Sequence, residues 1–184
     1  MASNGKTKVI ILDVLLHYAK VFEENRDMGN DKVDHSDTDG IYSVDLELTL
    51  EQVDQLKALG VPAATLGYQT FKKREEGDNY TFKVKRPHVS KYLKDNDGKR
   101  QIMGPPLVFD YNAALKAWDD AGRAGRFDEY IAPWKMADGL IGNGTRAKVK
   151  LSVYKGKATI VTLERIGFTE LVQYTGADSE SVYF

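Results

Sequence analysis

The most regular stretch of the chain lies between residues 140 and 174. Gly142-Asn143-Gly144 is a turn signal, and after it Ala147, Val149, Leu151 and Val153 alternate with Lys148, Lys150, Ser152 and Tyr154. A period of two predicts a strand with one buried and one wet face. Lys155-Gly156-Lys157 can reverse the chain, and a β-branched run from Ala158 to Leu163 continues towards Ile166 and Phe168. The pair reads as a hairpin whose wet face carries two lysines and a tyrosine. The same alternation recurs from Ile41 to Leu48, with Tyr42, Val44, Leu46 and Leu48 set against Ser43, Asp45 and Glu47. Upstream, Thr7 to Phe22 is almost continuously apolar with a β-branched start, which predicts a strand buried on both faces.

Between these strands the punctuation is dense. Glu23 to Gly40 holds five aspartates with asparagine and glycine breaks and reads as a long acidic loop. Thr49 is placed to cap a helix, with Gln52 where a capping box needs it and Val53, Leu56 and Leu59 on one face; Gly60 and Pro62 end it. Tyr68 to Lys73 and Tyr80 to Arg86 look like paired strands around a polar turn. Lys91 to Lys94 and Lys99 to Met103 flank a second turn, and Leu107 to Asp110 is a short strand. Asn112 to Ala124 fits a short helix or an ordered loop, and Gly125 to Ala137 shows no clear period. Many turns, at least six strands and no βαβ alternation predict a mainly β barrel or sandwich. A Greek-key barrel of the oligonucleotide-binding type, with one or two short helices and long loop insertions, fits 184 residues as a single domain over 1–175.

Composition narrows the chemistry. An apolar fraction of 42% is enough for a core, no apolar run approaches the length of a membrane span, and no signal-peptide pattern opens the chain. Without cysteine there is no disulfide framework, thiol nucleophile or thiolate zinc site. The expected class is a soluble intracellular protein. The net charge of −1 hides an asymmetry: residues 1–60 hold 6 Lys and Arg against 12 Asp and Glu, whereas residues 72–100 hold 10 against 5. Residues 145–184 add 6 against 4, so the two basic segments form one basic half if they meet in space.

Four blocks carry a resemblance. They are Leu16-His17-Tyr18-Ala19-Lys20-Val21-Phe22-Glu23, Tyr42-Ser43-Val44-Asp45-Leu46, Leu140-Ile141-Gly142-Asn143-Gly144-Thr145, and Phe168-Thr169-Glu170-Leu171-Val172-Gln173-Tyr174. In order and spacing the chain resembles the single-stranded DNA-binding proteins of tailed bacteriophages, over almost its whole length. The resemblance implies an oligonucleotide-binding barrel and a groove for single strands with little sequence preference. It implies a role in replication, recombination or repair of phage DNA, in the cytoplasm of the infected bacterial host. Relatives often end in an acidic tail closing on an aromatic residue. Here Phe184 follows that ending, but only Asp178 and Glu180 precede it in the segment 176–184, expected to be a mobile tail. Through such a tail the resemblance implies phage or host replication proteins as further partners.

Binding a single strand without sequence preference needs cations along the phosphates and rings against the bases. The span 68–94 offers Tyr68, Phe71, Lys72, Lys73 and Arg74, then Tyr80, Phe82, Lys83, Lys85 and Arg86, then Lys91, Tyr92 and Lys94. Phe71 and Phe82 are weighed as core first, Tyr68 and Tyr92 as groove first. Lys83 and Lys85 share the face opposite Phe82, so either the lysines or the rings of that strand meet DNA. Arg146, Lys148, Lys150 and Tyr154 form a second set, for which a solvated face is equally good. Trp118 and Trp134 read as packing residues. Asp37-Thr38-Asp39-Gly40 resembles part of a calcium loop, but Leu46 stands where the bidentate glutamate belongs, so no metal and no cofactor is expected. His17, His35 and His88 show no ligand spacing, and no serine has a nucleophile-elbow context; no catalytic residue is expected. The alternative class is a structural or assembly β protein of a phage particle, with a metal-dependent nuclease as a third reading.

Overall fold

A computed structural model describes residues 6–174. The segment 176–184, expected to be a mobile tail, lies outside the described residues. The strands are β1 (Lys6–Lys20), β2 (Ile41–Leu48), β3 (Ala64–Thr65), β4 (Tyr68–Gln69), β5 (Lys72–Lys73), β6 (Tyr80–Pro87), β7 (Val89–Lys94), β8 (Arg100–Ile102), β9 (Leu107–Asp110), β10 (Leu140–Ile141), β11 (Thr145–Lys155), β12 (Thr159–Glu170) and β13 (Gln173–Tyr174). Two helices, α1 (Leu50–Ala58) and α2 (Tyr111–Asp120), follow β2 and β9.

Five strands close a barrel in the order β6-β2-β1-β11-β12. All neighbours are antiparallel except the closing pair, where β12 returns to β6 in parallel at Thr162 and Lys85. Counted along the chain, the first strand lies between the second and fourth, and the third meets the fifth. That is the Greek-key circuit of the oligonucleotide-binding barrel.

β1 makes the closure possible by serving two partners. Lys6 to Leu16 pair with β11, and Leu15 to Lys20 pair with β2, with a register shift between His17 and Lys20. The shift centres on Tyr18, a non-glycine residue at φ 52°. A bulge of this kind bends a strand and increases its twist. Its free backbone groups are taken up by the turn at 142–144. The Tyr18 N–H donates to Asn143 Oδ1 at 2.7 Å, and the Gly144 N–H donates to the Leu16 carbonyl at 2.8 Å. The turn signal read from the sequence is therefore also the clasp on the bent strand.

The inner faces fill the barrel with Leu12, Val14, Leu16, Val44, Leu46, Leu48, Phe82, Val84, Val149, Leu151, Leu163 and Ile166, all buried. Each such side chain contributes roughly 1.5–3 kcal/mol on leaving water. α1 packs Val53 and Leu56 into this core. Its predicted capping box is present: Thr49 Oγ1 accepts from the Gln52 N–H, and Gln52 Oε1 accepts from the Thr49 N–H. Gln52 also donates to the Asp13 carbonyl at 2.7 Å, tying the helix to β1.

Three expectations are corrected. β1 is a strand, but only its inner face is covered; Val9 is 55% and Ile11 61% exposed on the barrel's outside. Residues 68–73 do not form one strand against 80–86. Instead β4 turns back on β3, and only Lys72 and Lys73 pair with β6. The wet face of β11 is partly covered, because Lys148, Lys150 and Tyr154 are half-buried rather than open. Lys148 lies 5.4 Å from the centroid of the Tyr111 ring of α2. Among the described residues, no helix is long and apolar enough to cross a membrane.

Candidate nucleic-acid interface

The outer face of β2 and β6 collects the candidate cations. On β6 the alternation resolves the choice left open by the sequence. Phe82 and Val84 point into the core, while Lys83 and Lys85 are exposed outside. The ladders place three rows across β1, β2 and β6: Leu15–Glu47–Thr81, His17–Asp45–Lys83 and Lys20–Ser43–Lys85. The rows differ in charge state.

In the first two rows carboxylates hold the cations. Lys83 Nζ is 3.5 Å from Asp45 Oδ1, an atom that is buried and makes no hydrogen bond among the described residues. Glu47 lies 3.0 Å from His17 Nε2 and 3.3 Å from Arg74 Nε, and it accepts from Asn79 Nδ2 at 2.8 Å. Burial pushes the Glu47 carboxyl up, but the bonds from Asn79 and His17 and the Arg74 charge outweigh it and hold the group below the usual carboxylate range. In the third row Lys20 and Lys85 flank Ser43, and neither lysine has an ion pair among the described residues. Lys20 acts on the Asp27 carboxyl, but two ammonium groups outside any such pair, on either side of a hydroxyl, make a short track suited to phosphate.

The acidic loop does not hang free. It returns along the β2–β6 face, bridging Asp27 to Ile41 and Gly29 to Asp34. Between loop and sheet runs a cleft of about 260 Å³, lined by Asp27, Asn30, His35, Ser43, Lys83 and Lys85 among others. The Gly29 N–H holds the Asp27 carboxyl below its ordinary value, and Lys20, His35 and Lys83 add to that. The far side of the loop is tied to the β7–β8 hairpin. Lys91 Nζ is 3.1 Å from Asp37 Oδ2, and Arg100 donates to the Asp37 carbonyl. Part of the acidic excess of residues 1–60 is thus spent inside the molecule on part of the basic excess of residues 72–100.

The remaining candidates sort by burial. Tyr68 and Tyr92 are 77% and 76% exposed, on β4 and β7. Lys72 and Lys94 are exposed without an ion pair among the described residues; Lys73 sits 3.8 Å from Asp78 and 5.4 Å from the ring centre of half-buried Tyr80. Phe71 and Phe82 are corrected as interface candidates: both are buried, with ring centres 5.0 Å apart. Arg86 is corrected too. It points inward and donates to the carbonyls of Gly104 and Met103 at 3.0 Å and of Leu163 at 3.3 Å, with Glu164 as counter-charge. It fastens β6 to β12 where the closing ladder is shortest.

The second set lies elsewhere on the barrel, since β11 is separated from β2 by β1 and from β6 by β12. Lys148 is paired with Asp13 at 3.0 Å, and Arg146 is 4.0 Å from Glu170. Lys150 has no ion pair among the described residues, and Tyr154 is half-buried. The two basic segments therefore do not merge into a single track. Trp134 packs edge-on against Phe168, and Trp118 against Phe127, which places both tryptophans in packing contacts.

Sequence reasoning missed Lys20 and Ser43. Lys20 lay inside a run, Thr7 to Phe22, read as buried on both faces, and Ser43 was read only as a polar alternate. The signal was pairing, which the sequence does not carry across a long loop. Among the described residues, no group of three or more His, Cys, Asp or Glu could hold a metal ion. Comparison of the chain with protein-family models, with curated proteins and with solved structures finds no match.

Proposed function

We propose that this chain is a non-enzymatic single-stranded DNA-binding protein. The bound strand runs across the outer face of β2 and β6, along the cleft between that face and the loop 21–40. The observation that carries this reading is the Lys20–Ser43–Lys85 row, whose lysines are held in no salt bridge among the described residues, on that face of a closed five-stranded Greek-key barrel. This is the face where barrels of this type take oligonucleotides. Lys20, Lys83 and Lys85 supply phosphate contacts that read no base, and the exposed Tyr68 and Tyr92 supply rings that stack on any base. Such a surface coats single strands without strong sequence preference. The four blocks resembling phage proteins support a role in replication, recombination or repair of phage DNA, in the host cytoplasm.

Charge reversal of the row tests the reading. A folded Lys20→Glu, Lys85→Glu double variant should lose most of its affinity for oligothymidine. Wild-type affinity in that variant contradicts the proposal and moves the weight to a structural role in a phage particle.

A further inference from the structure

β3 and β4 form a minimal hairpin: Ala64 pairs with Gln69 and Thr65 with Tyr68, leaving Leu66-Gly67 as a two-residue turn. Leu66 has φ 51° and Gly67 φ 82°. Both residues are left-handed, the geometry of a type I′ turn, whose first position favours asparagine or aspartate because leucine is strained there. Leu66 is also 93% exposed, a branched apolar side chain at the tip of a hairpin. Turn chemistry disfavours leucine at this position, and nothing within the described chain covers its side chain. A non-glycine residue held in a left-handed conformation is the kind of backbone outlier from which a functional contact is inferred.

The surroundings identify that contact. Tyr68, on the adjoining strand of the same hairpin, is 77% exposed. The next buried side chain, Phe71, anchors the segment against Phe82 under β6. Lys72 and Lys73 follow at once and pair with β6, the strand that carries Lys83 and Lys85. An apolar tip, an exposed phenol ring and a run of cations fit a chain of stacked bases on a phosphate backbone. Apolar side chains of this size enter base steps as wedges, and rings cover the base so released. We infer that Leu66 inserts between two adjacent bases of the bound strand and that Tyr68 stacks beside it, making the β3–β4 hairpin a second contact site that unstacks the DNA. This rests on the single-strand reading above and adds to it a distortion of the ligand.

The test uses the full chain and an oligothymidine carrying two adjacent 2-aminopurines, a base analogue that brightens when unstacked. Wild-type protein should bind and brighten the probe. Leu66→Asn, which suits the turn, should keep or raise the melting temperature, weaken binding about tenfold and abolish the brightening. Leu66→Met should retain both. Binding and brightening unchanged in Leu66→Asn overturn this inference alone. A wild-type protein that does not bind the probe overturns it together with the proposed function.

Discussion

Lys83 Nζ faces Asp45 Oδ1 at 3.5 Å across the β2–β6 ladder, while Lys85, two residues on along the same edge, faces Ser43 and no carboxylate. Two lysines that the sequence makes equivalent are thus unequal. One is already partly neutralised, and the other has its charge free for a ligand. Removing one phosphate-binding cation from a single-strand site lowers the slope of log affinity against log salt by about 0.7. Lys85→Ala should show that drop and Lys83→Ala a smaller one, while Asp45→Asn should tighten binding by releasing Lys83. Oligothymidine titrations over a range of salt measure all three, and equal effects for the two lysines contradict the assignment.

The rings divide in the same way. Tyr92→Ala should cost about 1–3 kcal/mol of binding, the scale of one stacked base, with unchanged melting temperature. Phe71→Ala removes a ring packed against Phe82 and should cost about 3–5 kcal/mol of stability. Denaturant unfolding beside DNA titration separates the two; a Tyr92 variant that unfolds, or a Phe71 variant of full stability, reverses the assignment.

These contrasts show what the sequence made legible. Period-two alternation located β2, β6 and β11 and set the inward side of β2 and β11, because a strand with one wet face must alternate; β12 was marked by its β-branched run, and alternation left the outward face of β6 open. Capping chemistry located α1. Alternation failed at β1, where Val9 and Ile11 are apolar yet lie on the open outer wall. It also failed at 64–73, where the Leu66-Gly67 turn carries no asparagine or aspartate to announce it. The candidate interface was half legible: residue types marked the cations offered for it. Which cations a carboxylate neutralises depends on cross-strand pairing, and for Lys20, Asp45 and Lys83 that pairing crosses long loops.

Arg86 gives a third prediction, on stability alone. It donates to three backbone carbonyls between β6, the β8–β9 connection and β12, at the seam closed by the single ladder pair of Thr162 and Lys85. Arg86→Ala should destabilise the barrel by about 1–3 kcal/mol, the cost of leaving such groups unpaired. Its effect on DNA affinity, measured on the folded fraction, should be small. A large drop in affinity at unchanged stability would return Arg86 to the interface.

Tyr42 sets a limit at high pH. Burial pushes its hydroxyl up to about 12, and the group lies 2.6 Å from His88 Nδ1. In the unfolded chain a tyrosine ionises near pH 10. With the folded value raised, this contribution to stability is complete below about pH 10 and disappears as pH climbs towards about 12. Tyr42→Phe should flatten that part of the curve relative to wild type, by denaturant unfolding at stepped pH. An unchanged curve contradicts the prediction.

The most direct measurement is a fluorescence titration of the whole chain with oligothymidine and with duplex of the same length, each at two salt concentrations. The account predicts preference for the single strand, a site of about 4–16 nucleotides and an affinity that falls steeply as salt rises. Equal affinity for duplex, or no binding to oligothymidine at low salt, contradicts it.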